Sequence, residues 1–393
     1  MNTPSGLENR IYLDHNATTP VDLRVLEAML PWLKGGFGNA SSIHAEGRAA
    51  RGAIDRARTE VARLLGAAEE EIFFTSGGTE SNNLALFGMV EASGADGGTL
   101  ISTPVEHHAV LRPLKRLETR GFNLHLLKVD SGGRVDPGEL EEVLSRHDDT
   151  LLVSVISANN EVGTVQPIHE LAAICHAHGV CMHTDAVQAA GKLPIKLAQS
   201  PVDLLSISAH KLYGPKGAGA LFIRRGTKVS PHILGGSHER KMRAGTENVA
   251  AIAGIGEACA MAGEELEACD KKLFTLRDKL WLGLNDKLDG VHLNGHKQHR
   301  LGNTLNVSFE GVEGEALLLG LDMAGIACSS GSACASGSLE PSHVLTAMGV
   351  SSELAAASVR FSLGRSNTEE QIDRATKEII SVVNRLRSMQ ISF

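Results

Sequence analysis

The residue best suited to chemistry is Lys211, which follows a buried strand predicted over 203–209 (DLLSISA). A lysine at the end of a rigid strand can lose its charge when it is desolvated, and its amine can then form an imine with a carbonyl. Taken alone, Lys211 is more simply interpreted as a solvated lysine at the start of a loop, since lysines are rarely buried. Its role therefore depends on the polar residues that end the neighbouring strands.

Four further groups follow predicted strands, and each has a plain structural alternative. Gly78 and Thr79 stand between a strand and a helix, where N–H groups and a hydroxyl can bind phosphate, although Thr79 could simply cap the helix. Asp185 could keep a ring nitrogen protonated or cap a helix. Asn160 could donate to a ring oxygen or form a turn, and His107 could lie on a ring or start a surface helix. With the lysine, these groups match pyridoxal phosphate (PLP), whose ring nitrogen needs an acidic partner.

The elements that must position these residues form an alternating pattern. Apolar strands and amphipathic helices alternate over about 71–223, which predicts an α/β fold with a mostly parallel sheet covered on both faces. Ligands of such sheets bind at the carboxyl ends of the strands, and the residues above lie at those ends.

The pattern changes after about residue 263. A long charged helix over 264–288 is followed by a run of histidines, which we expect to be a solvated loop: His292, His296 and His299. Strands and helices of an α+β type come after it. We therefore expect a large domain over 15–263, and a smaller domain formed by 1–14 and 264–393.

Composition limits the class of protein. Of 393 residues, 42% are hydrophobic and 21% are charged, as is ordinary for a soluble globular protein. The net charge of -8 argues against direct nucleic-acid binding. No apolar run reaches transmembrane length and the first ten residues lack a signal-peptide core, so we expect no membrane association. Six cysteines without a small-scaffold spacing favour a reducing compartment, and we expect a cytoplasmic enzyme.

Ordered motifs run nearly from end to end: YLDHNATTP, FGNASSIH, FTSGGTESNN, EHHAV, ANNEVGTVQPI, HTDAVQAAGK, SAHKLYGPKG, RAGTENV, SSGSACASGS and VRFSLGR. In these motifs the sequence resembles the class V aminotransferases, and within them the cysteine desulfurases of the NifS/IscS type. The resemblance implies the PLP-dependent transferase fold type I, with a mostly parallel seven-stranded sheet in the large domain.

The resemblance also implies roles for individual residues. Lys211 would carry PLP as a Schiff base, Asp185 would pair with the pyridinium, and His107 would stack on the ring as an acid/base. Asn160 and Gln188 would contact the ring oxygen. The phosphate would be bound by polar groups from two subunits, which implies a homodimer: Gly78, Thr79, Ser208 and His210, with Thr246 of the second subunit.

The stretch SSGSACASGS predicts a mobile catalytic loop over about 327–338 that carries Cys334. The resemblance implies that L-cysteine becomes L-alanine while its sulfur stays on Cys334 as a persulfide, for acceptors such as an iron–sulfur scaffold. Lys211 would remove the Cα proton, Arg360 would hold the substrate carboxylate, and Asn39 would assist there. The loop resembles the longer-loop desulfurases, and RAGTEN is closer to the nitrogen-fixation type than to the housekeeping type.

Several alternatives stay open at this point. Cys328 could be a second thiol or a small residue that ends a strand. A selenocysteine lyase, or a sulfur donor for tRNA thiolation or cofactor biosynthesis, would use the same residues. Cys334 argues against an ordinary aminotransferase, and the complete catalytic set argues against an inactive scaffold for iron–sulfur assembly. We expect no intrinsic metal, although Cys334 could transiently ligate an iron–sulfur cluster.

Overall fold

The computed structural model describes residues 9–330 and 341–390, so Cys334 and most of the predicted catalytic loop lie outside the described residues. The helices are α1 (Leu23–Lys34), α2 (Ala45–Leu65), α3 (Gly78–Ser93), α4 (His108–Glu118), α5 (Pro137–Arg146), α6 (Ile168–Ala177), α7 (Val249–Asn285), α8 (Gly314–Met323), α9 (His343–Ala347), α10 (Ser352–Ala356) and α11 (Glu369–Gln390). The strands are β1 (Ile11–Tyr12), β2 (Ile72–Thr75), β3 (Thr99–Ser102), β4 (Asn123–Leu126), β5 (Thr150–Ser154), β6 (Cys181–Asp185), β7 (Leu204–Ser208), β8 (Gly219–Ile223), β9 (Val291–Asn294), β10 (Thr304–Phe309), β11 (Ile326–Ala327), β12 (Ser329–Ser330) and β13 (Ser358–Ser362).

The larger sheet has seven strands in the order β2-β8-β7-β6-β5-β3-β4. The strands from β7 to β4 are parallel, and β8 is antiparallel to both of its neighbours. Every residue of β2, β7 and β8 is buried, because helices cover both faces of the sheet. The predicted α/β fold with a mostly parallel seven-stranded sheet is confirmed.

Two hydrophobic clusters cover the two faces of this sheet. Helices α2, α5, α6 and the first half of α7 contribute to one cluster, whereas α3 and α4 contribute to the other. The sheet is thereby enclosed, and the residues that end its parallel strands are gathered at one edge.

A second sheet is antiparallel, in the order β12-β13-β10-β9, and β1 pairs with β11 beside it. Its cluster is built from the second half of α7 together with α8 and α11. The run of His292, His296 and His299 is predicted to be a loop. His292 instead lies in edge strand β9, paired with β10, whereas His296 and His299 follow the strand in irregular structure. Strand β9 has only four residues, one of them buried, so its apolar/polar alternation is too short to mark a strand in the sequence.

Helix α7 starts at Val249, fifteen residues before the predicted start at residue 264. Its first half consists mostly of small residues that pack closely on α2, so no charged, amphipathic pattern marks it. The helix therefore runs through the predicted domain boundary at residue 263 and contributes to both cores. Among the described residues, no helix is both long enough and apolar enough to cross a membrane.

Candidate functional site

A cavity of about 610 Å³ lies at the carboxyl ends of the parallel strands of the larger sheet. Most residues predicted to form the site line it: Gly78, Thr79, His107, Asn160, Asp185, Gln188, Ser208, His210, Lys211 and Arg360. Strand ends, helix starts and one segment of the smaller sheet thus meet in a single space.

Lys211 ends a short 3-10 turn that directly follows β7. Its Nζ donates to the carbonyl oxygen of Asn16 at 2.5 Å and to that of Ala17 at 2.6 Å. Both carbonyls belong to the loop after β1, for which the sequence reasoning found no role although the loop lies within the YLDHNATTP motif. This loop fixes the position of the amine in the cavity.

Asp185 is the last residue of β6 and is 3% exposed. Its Oδ2 accepts from Nδ2 of Asn82 at 2.7 Å, and its Oδ1 accepts from the backbone N–H of Val187 at 3.0 Å. The hydrogen bond from the N–H of Val187 forms the turn that a capping aspartate would make. The same carboxylate also lines the cavity, as a ligand-binding residue would. Each oxygen has lone pairs left, so Asp185 can accept one further N–H from a ligand.

His107 caps α4 and lines the cavity as well. Its Nδ1 accepts from the backbone N–H of Ala109 at 3.0 Å, so in the neutral ring the proton is on Nε2. Burial lowers the pKa of His107, the charge of Lys211 lowers it further, and the charge of Asp185 opposes the shift. The ring is therefore held in one orientation, whether or not it also takes part in proton transfer.

Another part of the cavity lining suits an anion. Gly77, with φ of 151°, precedes α3, and a Cβ placed on Gly78 would lie 2.6 Å from Cγ2 of Val187. Only glycine lets the start of α3 approach the turn after β6 this closely, and the first N–H groups of a helix have no partner within it. His210 is held by Oγ1 of Thr18 at 3.2 Å, and burial lowers its pKa to about 4, so the ring is neutral. With the nearby hydroxyls, these donors suit a phosphate group.

Arg360 lies in β13 of the second sheet, is 1% exposed and reaches the same cavity. Its Nη1 donates to the carbonyl oxygen of Asn160 at 3.0 Å, and its Nη2 donates to Oδ1 of Asp14 at 2.8 Å. Within the described part of the chain, its Nε is buried without a hydrogen-bond partner. The guanidinium is thus oriented by the protein and keeps a donor for a ligand such as a carboxylate.

Lys192 is a second lysine that the sequence reasoning missed, although it ends the motif HTDAVQAAGK. Its Nζ donates to Oε1 of Gln188 at 2.7 Å, while Nε2 of Gln188 donates to the carbonyl oxygen of Asn16 at 2.9 Å. Burial lowers the pKa of Lys192 to about 7, and the charges of Lys211 and Arg360 add to the shift. Lys192 therefore orients the amide of Gln188.

Two predicted residues do not line this cavity in the single chain. Asn39 is exposed, and its Oδ1 accepts from the backbone N–H of Ser41 at 2.9 Å. Thr246 lines a separate cavity of about 140 Å³ that shares Ser76 and Gly217 with the larger one. The roles of Asn39 and Thr246 remain predictions.

Cys334 lies outside the described residues, whereas Cys328 lies within them. Cys328 packs against the core of the second sheet, and burial raises the pKa of its thiol to about 12. A thiol with so high a pKa is a poor nucleophile near neutral pH. The structure therefore favours the small strand-end residue over the second thiol.

Comparisons with known proteins agree with this architecture. The family model described as aminotransferase class V matches residues 11–375. The cysteine desulfurase IscS of Methanosarcina thermophila is 50% identical over 383 residues, covering 97% of this chain and 94% of the relative. The putative cysteine desulfurase IscS 1 of Bacillus subtilis is 50% identical over 378 residues, covering 96% of this chain and 99% of the relative. A solved NifS-like protein has a TM-score of 0.90 at 41% identity and covers 96% of this chain and 100% of its own.

The chain belongs to the class V aminotransferase family and has the fold type I architecture of PLP-dependent transferases. Within that family it groups with the cysteine desulfurases, so the resemblance predicted from its motifs is confirmed. Enzymes of this family depend on PLP, and the residues present fit that cofactor. The phosphate would meet the start of α3, the ring nitrogen would meet a carboxylate, and the aldehyde would meet a lysine amine.

Proposed function

We propose that the enzyme converts L-cysteine into L-alanine with PLP bound on Lys211, and that it leaves the sulfur as a persulfide on Cys334. One observation carries the proposal: a single cavity brings together a strand-end lysine, a strand-end carboxylate and an oriented arginine whose Nε has no partner among the residues of 9–330 and 341–390. The sequence adds a cysteine within a stretch of small polar residues, SSGSACASGS.

The cofactor would be held by groups at its two ends. Gly78, Thr79, Ser208 and His210 would bind the phosphate, and Asp185 would bind the ring N–H. Asn160 and Gln188 would donate to the ring oxygen, and His107 would pack on the ring. When bound, PLP supplies an electron sink that stabilises the charge left when a proton leaves the substrate Cα.

The other groups act on the substrate. Arg360 binds the carboxylate of L-cysteine, with Asn39 assisting, and because Asp14 and the carbonyl of Asn160 already orient the guanidinium, little freedom is lost on binding. Lys211 removes the Cα proton, since its amine is positioned by the loop after β1.

Cys334 carries out the transfer of sulfur. Its thiolate attacks the substrate sulfur, the new S–S bond forms as the substrate C–S bond breaks, and the electron pair of that bond stays with the carbon fragment. Protonation of that fragment gives L-alanine. The sum is L-cysteine plus the thiol of Cys334 giving L-alanine plus the persulfide, so no external oxidant is needed.

The persulfide would be passed to sulfur-acceptor proteins such as an iron–sulfur assembly scaffold. We place the enzyme in the cytoplasm as a homodimer, in which Thr246 of one subunit contacts the phosphate held by the other. The names of the relatives in Methanosarcina and Bacillus support the assignment to cysteine desulfuration. The choice between the nitrogen-fixation and housekeeping roles depends on the acceptor.

A selenocysteine lyase is the second candidate function, because the same residues would serve a substrate that carries selenium. The visible spectrum of the purified protein should be measured before and after L-cysteine is added, with L-alanine and sulfide assayed alongside. We expect a PLP absorption that changes with L-cysteine and stoichiometric L-alanine. A cofactor spectrum with turnover of selenocysteine alone would support the second function, and the absence of any PLP absorption would contradict both.

A further inference from the structure

Ser342 is the second described residue after the interval 331–340, and it lies eight positions after Cys334 in the sequence. Its side chain is buried, with 2% of the residue exposed. Oγ donates to Oε2 of Glu161 at 2.5 Å and accepts from the backbone N–H of Leu345 at 3.2 Å. The hydroxyl thus caps α9 and at the same time contacts a buried carboxylate.

Glu161 is a fixed attachment point for that hydroxyl. It is 3% exposed and directly follows Asn160, whose carbonyl accepts from Arg360. Its backbone N–H donates to Oδ1 of Asn159 at 2.8 Å, and its carbonyl accepts from Nδ2 of Asn306 at 3.1 Å. Burial raises the pKa of Glu161 to about 7, and the hydrogen bond from Ser342 and the charge of Arg360 oppose that shift. Ser342 is therefore bonded to the residue that follows Asn160, which lines the cavity and contacts Arg360.

His343 makes a second connection, to the chain neighbours of His107. Its Nε2 donates to the carbonyl oxygen of Glu106 at 2.9 Å, and its ring lies 4.7 Å from that of His108. Glu106 and His108 flank His107, which lines the cavity. Two consecutive residues, Ser342 and His343, thus contact the chain neighbours of Asn160 and His107, which line the cavity.

The other side of the interval is attached at the same place. Ser329 pairs with Arg360 and Ser330 pairs with Val359, where β12 joins β13. The chain therefore leaves the described structure beside Arg360 and re-enters it at a residue bonded to Glu161, one position after Asn160.

We propose that Ser342 is a positioning residue for sulfur transfer: by bonding Glu161, it fixes where the chain returns from Cys334 relative to the substrate carboxylate on Arg360. This inference rests on the proposed role of Cys334. The rate of a reaction between two bound groups depends steeply on how well their geometry is fixed, and a displacement of about 1 Å can slow it about 100-fold. Ser342 is not among the residues that line the cavity, so it acts through the attachment alone.

The test is a set of variants studied as the PLP-loaded enzyme. In Ser342→Ala we expect single-turnover formation of the Cys334 persulfide, followed by mass spectrometry, to slow about 10-fold, because the hydrogen bond that fixes Ser342 to the buried carboxyl group is lost. The visible absorption and its half-saturation by L-cysteine should match the wild type. Ser342→Thr keeps a hydroxyl and should restore most of the rate.

Ser351 provides a matched control. It caps the five-residue helix α10 as Ser342 caps the five-residue helix α9, with the N–H of Leu354 bonded to its Oγ at 3.3 Å, but it is exposed. Ser351→Ala should lose a similar cap and yet transfer sulfur at the wild-type rate. Glu161→Gln should slow transfer by itself, and combining it with Ser342→Ala should add little, because the two residues act as a pair.

Three results would overturn the inference: wild-type transfer in Ser342→Ala, equal slowing in Ser351→Ala, or a loss explained by weaker saturation with L-cysteine. These results differ from a failure of the proposed function, in which the wild-type enzyme itself would gain no sulfur on Cys334.

Discussion

At the scale of the residue, the position of the Lys211 side chain is set by a strand and by a loop that lies nearly 200 positions away in the sequence. Strand β7 sets its backbone, and the carbonyls of Asn16 and Ala17 accept from its amine. Lys192 is also near enough for the charge of Lys211 to lower its pKa. Two lysines are therefore candidates to carry the cofactor. Lys211 is the better candidate because it lines the larger cavity, whereas Lys192 does not.

Replacing Lys211 by alanine should abolish the absorption of lysine-bound PLP and slow turnover by at least ~100-fold, since we propose that the residue is also the general base. Borohydride reduction of the wild-type enzyme followed by tryptic mapping should place the pyridoxyl group on the Lys211 peptide. The exposed Lys196, changed to alanine, serves as a control and should behave as wild type. A pyridoxyl group on Lys192 would refute the assignment.

Glu106 is a fully buried carboxyl beside His107, and sequence reasoning gave it no role of its own. Its Oε1 accepts from the N–H of Ile156 at 2.7 Å and from the hydroxyl of Thr103 at 2.8 Å. Its Oε2 has no hydrogen-bond partner among the residues the structure describes. Burial raises the pKa of Glu106 to about 8, so the group is mostly neutral at pH 7.

This shift gives a stability prediction with a definite sign. The folded state keeps the Glu106 proton up to about pH 8, whereas the unfolded chain loses it near its ordinary pKa of about 4.3. The contribution to stability is therefore complete below about pH 4.3 and is lost as the pH rises through about 8. Glu106→Gln is neutral at every pH, so its free energy of unfolding should improve relative to wild type by a few kcal/mol between pH 5 and pH 8.5.

Urea unfolding at several pH values measures this difference. The exposed Glu118 of α4, changed to glutamine, is the control and should follow the wild-type pH dependence. Parallel curves for Glu106→Gln and wild type would show that Glu106 is ionised in the folded protein.

At the scale of the element, α7 links the two cores through two kinds of packing. Its first half approaches α2 so closely that a Cβ on Gly256 would lie 2.5 Å from the Cα of Ala57. Near its middle, a Cβ on the exposed Gly263 would meet only Cδ1 of Leu64, at 3.8 Å. Replacing glycine by alanine should therefore change the stability of the protein in opposite directions at these two positions of one helix.

Gly256→Ala should destabilise the protein by about 1–3 kcal/mol, because the added methyl group would clash with α2 and the two helices cannot easily move apart. Gly263→Ala should stabilise it by about 0.5–1 kcal/mol, since alanine loses less conformational entropy in a helix than glycine. Denaturant unfolding of both variants tests the pair. Equal effects at the two positions would mean that α7 does not pack on α2 as described.

At the scale of the whole molecule, the sequence predicted most elements of the larger sheet and the residues at its strand ends. Buried parallel strands give continuous apolar runs, and the residues that end them necessarily share one edge. The missed features depend on distant contacts that no local pattern encodes. Asn16 holds the amine of Lys211, Asp14 orients Arg360, and Lys192 orients Gln188.

Prediction was weaker around the second sheet for a related reason. Strands β9 and β12 have only four and two residues, too few for a clear apolar pattern. Small residues in the first half of α7 conceal the periodicity of that helix. Strand β12 and helix α9, which flank residues 331–340 on either side, belong to this less predictable part of the chain. Sequence therefore located the cavity but not the contacts that connect the second sheet to it.

The central claim is that Cys334 takes the sulfur while the cofactor cavity activates L-cysteine, and the most direct measurement is the mass of the Cys334 peptide after a single turnover without reductant. Wild type should gain at least one sulfur there. Cys334→Ser should keep the cofactor spectrum and its response to L-cysteine, yet release essentially no L-alanine or sulfide, because a hydroxyl is a far weaker nucleophile than a thiolate. Desulfuration by Cys334→Ser, or added sulfur on Cys328 instead, would contradict the account.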